Sequence, residues 1–160
     1  MKMEIYELRV LLSPAAGVVV PLQELSGEDG GVRFHGEGFA LTAPEGLRGL
    51  VQRAVPAVEV RAPADGAVTS VGEDSFRLRT GDGLELEVLL CAPGEMFVRA
   101  GEVIMAGECC ARLSREDFCA SPAGIVVRFP ESSGVSELHV LGGMKKSGRA
   151  SAEYRLRSEN

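Results

Sequence analysis

Side chains of the types that carry out chemistry are few in this sequence. It contains two histidines, His35 and His139, and neither is part of an H-x-H or H-x-x-x-D pattern. Zinc hydrolases hold their metal with such closely spaced ligands, so the histidines predict no metal site. His35 precedes a glycine and His139 lies in the apolar segment 135–141, and we expect both to be half-exposed turn or strand residues.

The four cysteines also indicate packing rather than chemistry. Cys109 and Cys110 are adjacent, so on a strand they would point to opposite faces and could not easily share a metal. The sequence has no C-x-x-C pair, and its first twelve residues are too charged for a signal peptide. We therefore expect a cytoplasmic protein whose thiols stay reduced and pack as small apolar groups.

Composition limits the classes of protein to which this chain can belong. The 160 residues are 45% hydrophobic and 25% charged, which is ordinary for a soluble chain, and we expect one domain over 1–160. A net charge of -6 argues against a nucleic-acid surface, and no stretch is long and apolar enough for membrane insertion. The one basic cluster, Lys145, Lys146 and Arg149, is flanked by Gly and Ser and is interpreted as a solvated turn. No cofactor motif is present.

One short phrase occurs three times and predicts the architecture. It reads S-P-A-A-G-V-V at 13–19, A-P-A-D-G-A-V at 62–68 and S-P-A-G-I-V-V at 121–127. Proline fixes one backbone angle, glycine permits conformations closed to other residues, and the β-branched tail favours a strand. Each copy is therefore a turn followed by a strand. We interpret the chain as one closed β architecture that turns the same corner three times.

The segments between these phrases are mostly strand-like. Residues 75–80 alternate, 81–83 give a hairpin turn, and Leu84, Leu86 and Val88 should face the core from the next strand. Helical spacing occurs only at 44–57, with a further single turn possible at 114–118. The prediction is a mostly β protein with one or two short helical segments.

Taken in order, these phrases resemble the glucose-type enzyme IIA domain of the bacterial sugar phosphotransferase system. The matching segments are 12–22 for its opening S-P-x-x-G-x-V, 36–41 for G-D-G-x-A-I, 62–68 for A-P-V-D-G-T-V, 76–88 for a strand pair joined by D-x-G, 98–107 for V-x-x-G-D-x-V-x-x-G, and 121–127 with 135–156 for T-P-V-V-V-T-N and the closing strand. The resemblance implies a flattened β-sandwich or barrel of the duplicated hybrid-motif type. It also implies protein partners, namely the histidine-containing phosphocarrier protein and a sugar permease.

The resemblance breaks down at the residues that carry phosphate in the family. There, one histidine accepts the phosphoryl group and a second histidine on the neighbouring strand holds its oxygens. This sequence has Asp74 at the supporting position, Leu89 at the accepting position, and Cys91 where the family has glycine. The loop after Cys91 is shortened, and the segment 44–57 is an insertion.

These departures lead to the hypothesis of an enzyme IIA-like protein that cannot be phosphorylated on histidine and acts as a regulatory or protein-binding module. Its partner-binding face would contain Phe39, Phe76 and Leu89 as an apolar centre. Glu87 would belong to an acidic rim, and Cys91 would lie beside it.

Two alternatives remain open. The first is an active phosphocarrier, because Asp74 could form an acyl phosphate and Cys91 could act as a nucleophile. Both would need a cation, and only Arg77 and Arg79 are close in sequence. The second is a biotinyl or lipoyl carrier, since the glycine spacing at 101–107 also fits that family. Those domains place a lysine soon after the second glycine, whereas 109–113 contains none.

Overall fold

The computed structural model describes residues 8–25, 37–43, 57–121, 123–130 and 135–156. In these ranges the chain forms strands, a 3-10 turn at Leu22–Leu25 and one helix, α1 (Arg115–Ala120). The strands are β1 (Leu8–Leu12), β2 (Gly17–Pro21), β3 (Glu37–Thr42), β4 (Ala57–Arg61), β5 (Gly66–Val71), β6 (Ser75–Thr80), β7 (Glu85–Leu90), β8 (Glu95–Met96), β9 (Val103–Ile104), β10 (Cys109–Ser114), β11 (Ile125–Phe129), β12 (Val135–Val140), β13 (Gly143–Lys145) and β14 (Ala150–Leu156).

The strand order shows an internal duplication. Within the described residues, an eight-stranded sheet runs β13-β2-β3-β11-β7-β6-β5-β9, and two three-stranded sheets run β1-β14-β12 and β4-β10-β8. The first four strands of the large sheet, β13-β2-β3-β11, correspond to the last four read from the other end, β9-β5-β6-β7. The two small sheets correspond in the same way, with β1 matched to β4, β14 to β10 and β12 to β8. The molecule therefore has a pseudo-twofold axis that passes between β11 and β7.

Backbone hydrogen bonds at the corners repeat the same symmetry. Leu12 N donates to Pro63 O at 2.9 Å, and Arg61 N donates to Pro14 O at 2.8 Å. The first two copies of the proline-glycine phrase are thus reciprocally bonded equivalents. The third copy leads into β11 at the centre of the large sheet, so it makes a different corner and the prediction of three identical corners is wrong. Its proline lies outside the described residues.

The core lies between the sheets. One cluster of buried apolar side chains contains Phe76 from β6, Leu113 from β10 and Ala152 from β14, so all three sheets contribute to a flattened sandwich. Leu86 and Val88 are fully buried and Leu84 packs against the same cluster, which confirms the side predicted from their alternation. The fold class predicted from the sequence is therefore the observed one.

A polar clamp joins the tip of the β6–β7 hairpin to the sheet that contains β1 and β14. Arg9 forms an ion pair with Asp82 at 3.0 Å, and the Tyr154 hydroxyl donates to the same carboxylate at 3.4 Å. Burial, followed by the Asp82 charge, raises the pKa of Tyr154 to about 12. The clamp therefore keeps this tyrosine protonated and seated across the two sheets.

The two predicted helical segments have different outcomes. The turn predicted at 114–118 is α1, which Ser114 caps by accepting a hydrogen bond from Asp117 N at 3.3 Å. Of the segment 44–57, residues 44–56 lie outside the described ranges, and Ala57 begins β4. Among the described residues, no helix is long and apolar enough to cross a membrane.

Gly38 allows the close approach of β3 to β11, and its replacement by alanine should destabilise the fold. A Cβ atom at Gly38 would meet Val127 O and the Arg128 Cα at 2.6 Å, and backbone atoms of a central strand cannot easily move away. We expect Gly38→Ala to lower the free energy of unfolding by at least about 2 kcal/mol in urea titrations. Gly81→Ala is the matched control because nothing lies within 4 Å of its Cβ position, and it should change stability by less than about 0.5 kcal/mol. Equal effects of the two substitutions would contradict this account.

Candidate functional site

The two positions that the sequence analysis matched to the family's histidines lie at neighbouring ends of β6 and β7. In the antiparallel pair β6–β7, Ser75 is opposite Leu89, and Leu90 N donates to Asp74 O at 2.7 Å. Asp74 therefore lies immediately before the strand whose neighbour carries Leu89. The register places Ser75, and not Asp74, directly opposite Leu89, and the Asp74 carboxylate is exposed while Leu89 is half-buried.

The predicted apolar face is wrong in two of its members. Phe39 and Phe76 have no exposed surface and belong to the core cluster between the sheets. Phe76 pairs with Val88, so the two share the inner side of the sheet, whereas Leu89 lies on the outer side. Because side chains alternate along a strand, Phe76 and Leu78 share one side of β6 with the residues that pair with them, and Val88 was predicted to face the core. The same alternation therefore predicts that Phe76 faces the core and not a partner.

A second, smaller apolar cluster lies on the outer side of the sheet and was missed by the sequence argument. It follows the register across four strands, with Leu89 opposite Val126, Val126 opposite Ala40, and Ala40 opposite Val20. Its buried members are Leu22, Ala40, Ala123 and Val126, with Val20 and Leu89 packed against them. Leu89 therefore lies at the margin of an apolar cluster and has a packing role there.

Beside Leu89, a carboxylate is clamped between two guanidinium groups. Glu87 accepts from Arg77 Nε at 2.9 Å and from Arg128 at 2.9 Å (Nε) and 2.7 Å (Nη2). The three residues are directly opposite one another on β6, β7 and β11. Only 8% of the Glu87 side chain is exposed, so the prediction of an acidic rim is wrong for this residue. Arg128 was not anticipated, because its approach depends on the pairing of β7 with β11.

The other arginine near this face is also engaged. Arg79 forms an ion pair with Glu85 at 3.3 Å, and Glu85 accepts from the Thr69 hydroxyl at 3.2 Å. Both cations that could have stabilised a phosphoryl group thus already have carboxylate partners. Among the described residues, Asp74 forms no ion pair.

Cys91 lies at the end of β7 as a half-buried thiol. Its amide donates to Gly124 O at 3.0 Å, and its Sγ donates to Asp117 O at 3.3 Å. Burial, followed by the charge of Asp117, raises the pKa of the Cys91 thiol. A raised pKa keeps the group as the neutral thiol near pH 7, which is a poor nucleophile.

The remaining metal-binding residue types do not gather at this site. His139 lies on β12 opposite Glu153, in a different sheet from β6 and β7, and His35 is outside the described residues. All four cysteines are free thiols, with Cys110 buried and Cys109 partly exposed. In the part of the chain that the structure describes, no three His, Cys, Asp or Glu side chains are grouped so as to hold a metal.

Comparison with known proteins gives a structural likeness. Neither the protein-family models nor the curated protein sequences gave a match. Among solved structures, glucose permease IIA from Mycoplasma capricolum superposes with a TM-score of 0.70 over 96% of this chain and 99% of that chain, at 20% sequence identity. The chain therefore has the glucose permease IIA fold, which the order of its motifs had predicted.

Removing the Glu87 carboxylate should cost more stability than removing its exposed neighbour. Glu87→Gln removes the carboxylate charge that pairs with Arg77 and with Arg128, whose side chain is only 18% exposed. We expect a loss of about 2–4 kcal/mol in the free energy of unfolding at pH 7. Glu85→Gln, on the same strand and in a more exposed pair, should cost less than about 1 kcal/mol. Similar losses for both variants would show that the Glu87 network is not structural.

The raised pKa of Cys91 predicts slow alkylation at neutral pH. Labelling with iodoacetamide, followed by peptide mass spectrometry, should be slower at Cys91 in the folded chain than in urea. Its rate should keep rising above pH 9, because the thiolate forms only near the raised pKa. Asp117→Asn should speed the labelling modestly by removing the second cause of the shift, whereas Glu116→Gln on the same helix should not. Labelling as fast in the folded chain as in urea would contradict this prediction.

Proposed function

We propose that this chain is a glucose-type enzyme IIA-like protein of the sugar phosphotransferase system that is not phosphorylated on histidine and acts as a regulatory or protein-binding module. One observation carries the proposal. On a IIA fold, the adjacent positions at the start of β6 and the end of β7 hold Asp74 and Leu89, while the arginines beside them are bound to Glu85 and Glu87.

Phosphoryl transfer needs a nucleophile and groups that stabilise the oxygens of the transferred phosphate. Leu89 supplies no nucleophile. A phosphoryl group on Asp74 would carry two negative charges next to Glu73, and its stabilisation by Arg77 would compete with the short bond from Arg77 to Glu87. These electrostatics disfavour an acyl phosphate at Asp74. Cys91 is disfavoured as well, because its thiol stays protonated.

The same face has features of a protein-binding surface. Leu89 is a partly buried apolar residue at the edge of a small apolar cluster, and ion-paired arginines lie beside it. Apolar centres bordered by polar side chains are typical of protein interfaces. The partner proposed from the fold is the phosphocarrier protein or a sugar permease, each of which would meet this face without exchanging phosphate.

Incubation with phosphoenolpyruvate, enzyme I and the phosphocarrier protein tests the absence of transfer. Intact mass spectrometry should show no added phosphate, while a histidine-containing glucose-type IIA domain in the same tube should be phosphorylated. The alternative is a phosphocarrier that uses Asp74 or Cys91. Stoichiometric phosphate uptake that is lost in Asp74→Asn or Cys91→Ala would establish that alternative and overturn the proposal.

Binding to the phosphocarrier protein tests the positive part of the proposal. Leu89→Arg places a charge at the centre of the face and should weaken binding at least about tenfold, which corresponds to about 1.4 kcal/mol. Val10→Arg is the control, because Val10 is 42% exposed on β1 in a different sheet, and it should leave binding unchanged. The same titration with the soluble domain of a sugar permease distinguishes the two partners. Absence of binding to both would remove the support for a protein-binding role.

A further inference from the structure

The two ends of the eight-stranded sheet have the same backbone frame. Within the described residues, β9 pairs only with β5 and β13 pairs only with β2, so each presents one unpaired edge. Val103 on β9 is opposite Ala67, and Met144 on β13 is opposite Val18. These two strands exchange under the pseudo-twofold axis, so Val103 and Met144 are structural equivalents.

The turns that follow the two edge strands are equivalent bond by bond. Gly107 N donates to Ala62 O at 2.9 Å, and Gly148 N donates to Ser13 O at the same distance. Glycine is required at both places because φ is +92° at Gly107 and +83° at Gly148.

The next bonds in each turn fix which side chains correspond. Glu108 N donates to Met105 O at 3.1 Å, and Arg149 N donates to Lys146 O at 3.2 Å. Glu108 therefore corresponds to Arg149, and Met105 corresponds to Lys146.

One of these matched edges is mainly acidic. We define the acidic edge as Glu102, Val103, Met105 and Glu108. Its two carboxylates are exposed but ordered, because Glu102 Oε1 accepts from Arg99 N at 3.1 Å and Glu108 Oε1 accepts from Met105 N at 3.2 Å. Arg99 is the nearest exposed cation in sequence, and in the described residues neither carboxylate forms an ion pair.

The other edge is basic. We define the basic edge as Met144, Lys145, Lys146 and Arg149. These residues line a shallow concavity of about 520 Å³, whose other walls are Leu141 and Ala150. No described carboxylate lies within ion-pair distance of its three cations. The sequence analysis predicted a solvated turn here, and the structure confirms it for Lys146 and Arg149, which are exposed at the two ends of the turn after β13, while Lys145 ends the strand.

Both edges also expose apolar side chains. Val103 is 77% exposed, Met105 57% and Met144 56%, which makes them the three most exposed of the large apolar residues described. Exposed apolar groups beside unpaired backbone are favourable sites for another strand to add. The edges therefore combine opposite charge, apolar surface and unpaired strand groups.

We propose that a second copy of this chain docks head to tail on the first, with the acidic edge of one copy against the basic edge of the next. Charge complementarity favours a second copy, because Glu108 and Arg149 hold equivalent positions and the other charges of the two edges, Glu102 on one and Lys145 and Lys146 on the other, are opposite in sign. The two surfaces lie at opposite ends of one sheet, so the contact is heterologous and adds copies in a row. Since the strands are short and the charges exposed, association is weak and sensitive to salt.

Sedimentation velocity of the full chain over a range of concentrations tests the proposal. At low ionic strength the average mass should rise with concentration above the 16.9 kDa of one chain. About 0.5 M sodium chloride should return it to one chain, because screening at that ionic strength acts within a few ångströms.

Charge reversal identifies the surfaces. The first double variant, Glu102→Lys with Glu108→Lys, has two basic edges. The second, Lys145→Glu with Lys146→Glu, has two acidic edges. Each double variant alone should therefore stay monomeric. An equimolar mixture of the two should associate again, because each supplies the edge that the other lacks. Glu116→Lys with Glu137→Lys is the control for the first double variant, since it also replaces two exposed glutamates outside both edges by lysine, and it should associate like the unmodified chain.

Circular dichroism and thermal unfolding of each variant verify that the fold is retained. A chain that stays monomeric at low salt, or association that survives either reversal, would overturn the proposal. Binding of inorganic phosphate at the basic edge of a monomeric chain would show instead that this edge is an anion site, and the proposal would be wrong.

Discussion

The register between β7 and β11 is the constraint on which the rest of this structure depends. These strands meet at the pseudo-twofold axis, with Val88 opposite Val127 and Glu87 opposite Arg128. Because side chains alternate along a strand, this register sends the valines into the core and the charged pair outward. If β11 slipped by one residue, Arg128 would turn into the core and Val127 would turn outward, so the packing of the sandwich and the composition of the candidate site are determined together.

On the outward side of these strands, the side chains of the protein bind and pack against one another. Glu87 is nearly buried and its carboxylate is bound by two guanidinium groups, so its hydrogen-bonding groups are satisfied within the protein. Leu89, one alternation further along, packs on Val126 and its neighbours in place of a polar residue. An ion-pair network and an apolar cluster therefore lie next to one another on the outward surface of β7.

Much of the fold was predictable from local patterns. Proline-glycine corners and period-two alternation located β2, β5, β6, β7 and β11, and the order of the phrases led to the correct architecture. The candidate site was less predictable, since it depends on long-range pairing. No residue near Glu87 in the sequence indicates that Arg128 will contact it, because Arg128 lies on a strand distant in sequence. Phe76 was assigned to the wrong side of the sheet because its hydrophobicity was considered before its register. The equivalence of the two sheet edges required the backbone hydrogen bonds as well as the sequence.

Because the backbone frame is duplicated, the acidic edge and the basic edge can carry different side chains without loss of the fold. The frame is maintained by groups that are common to every residue or unique to glycine and proline, such as the reciprocal bonds of Leu12 and Arg61 to the two prolines. Outward-facing side chains take little part in those bonds, so the same backbone carries Glu108 at one edge and Arg149 at the other. Function in this architecture therefore depends on the outward residues, and the frame alone does not decide it.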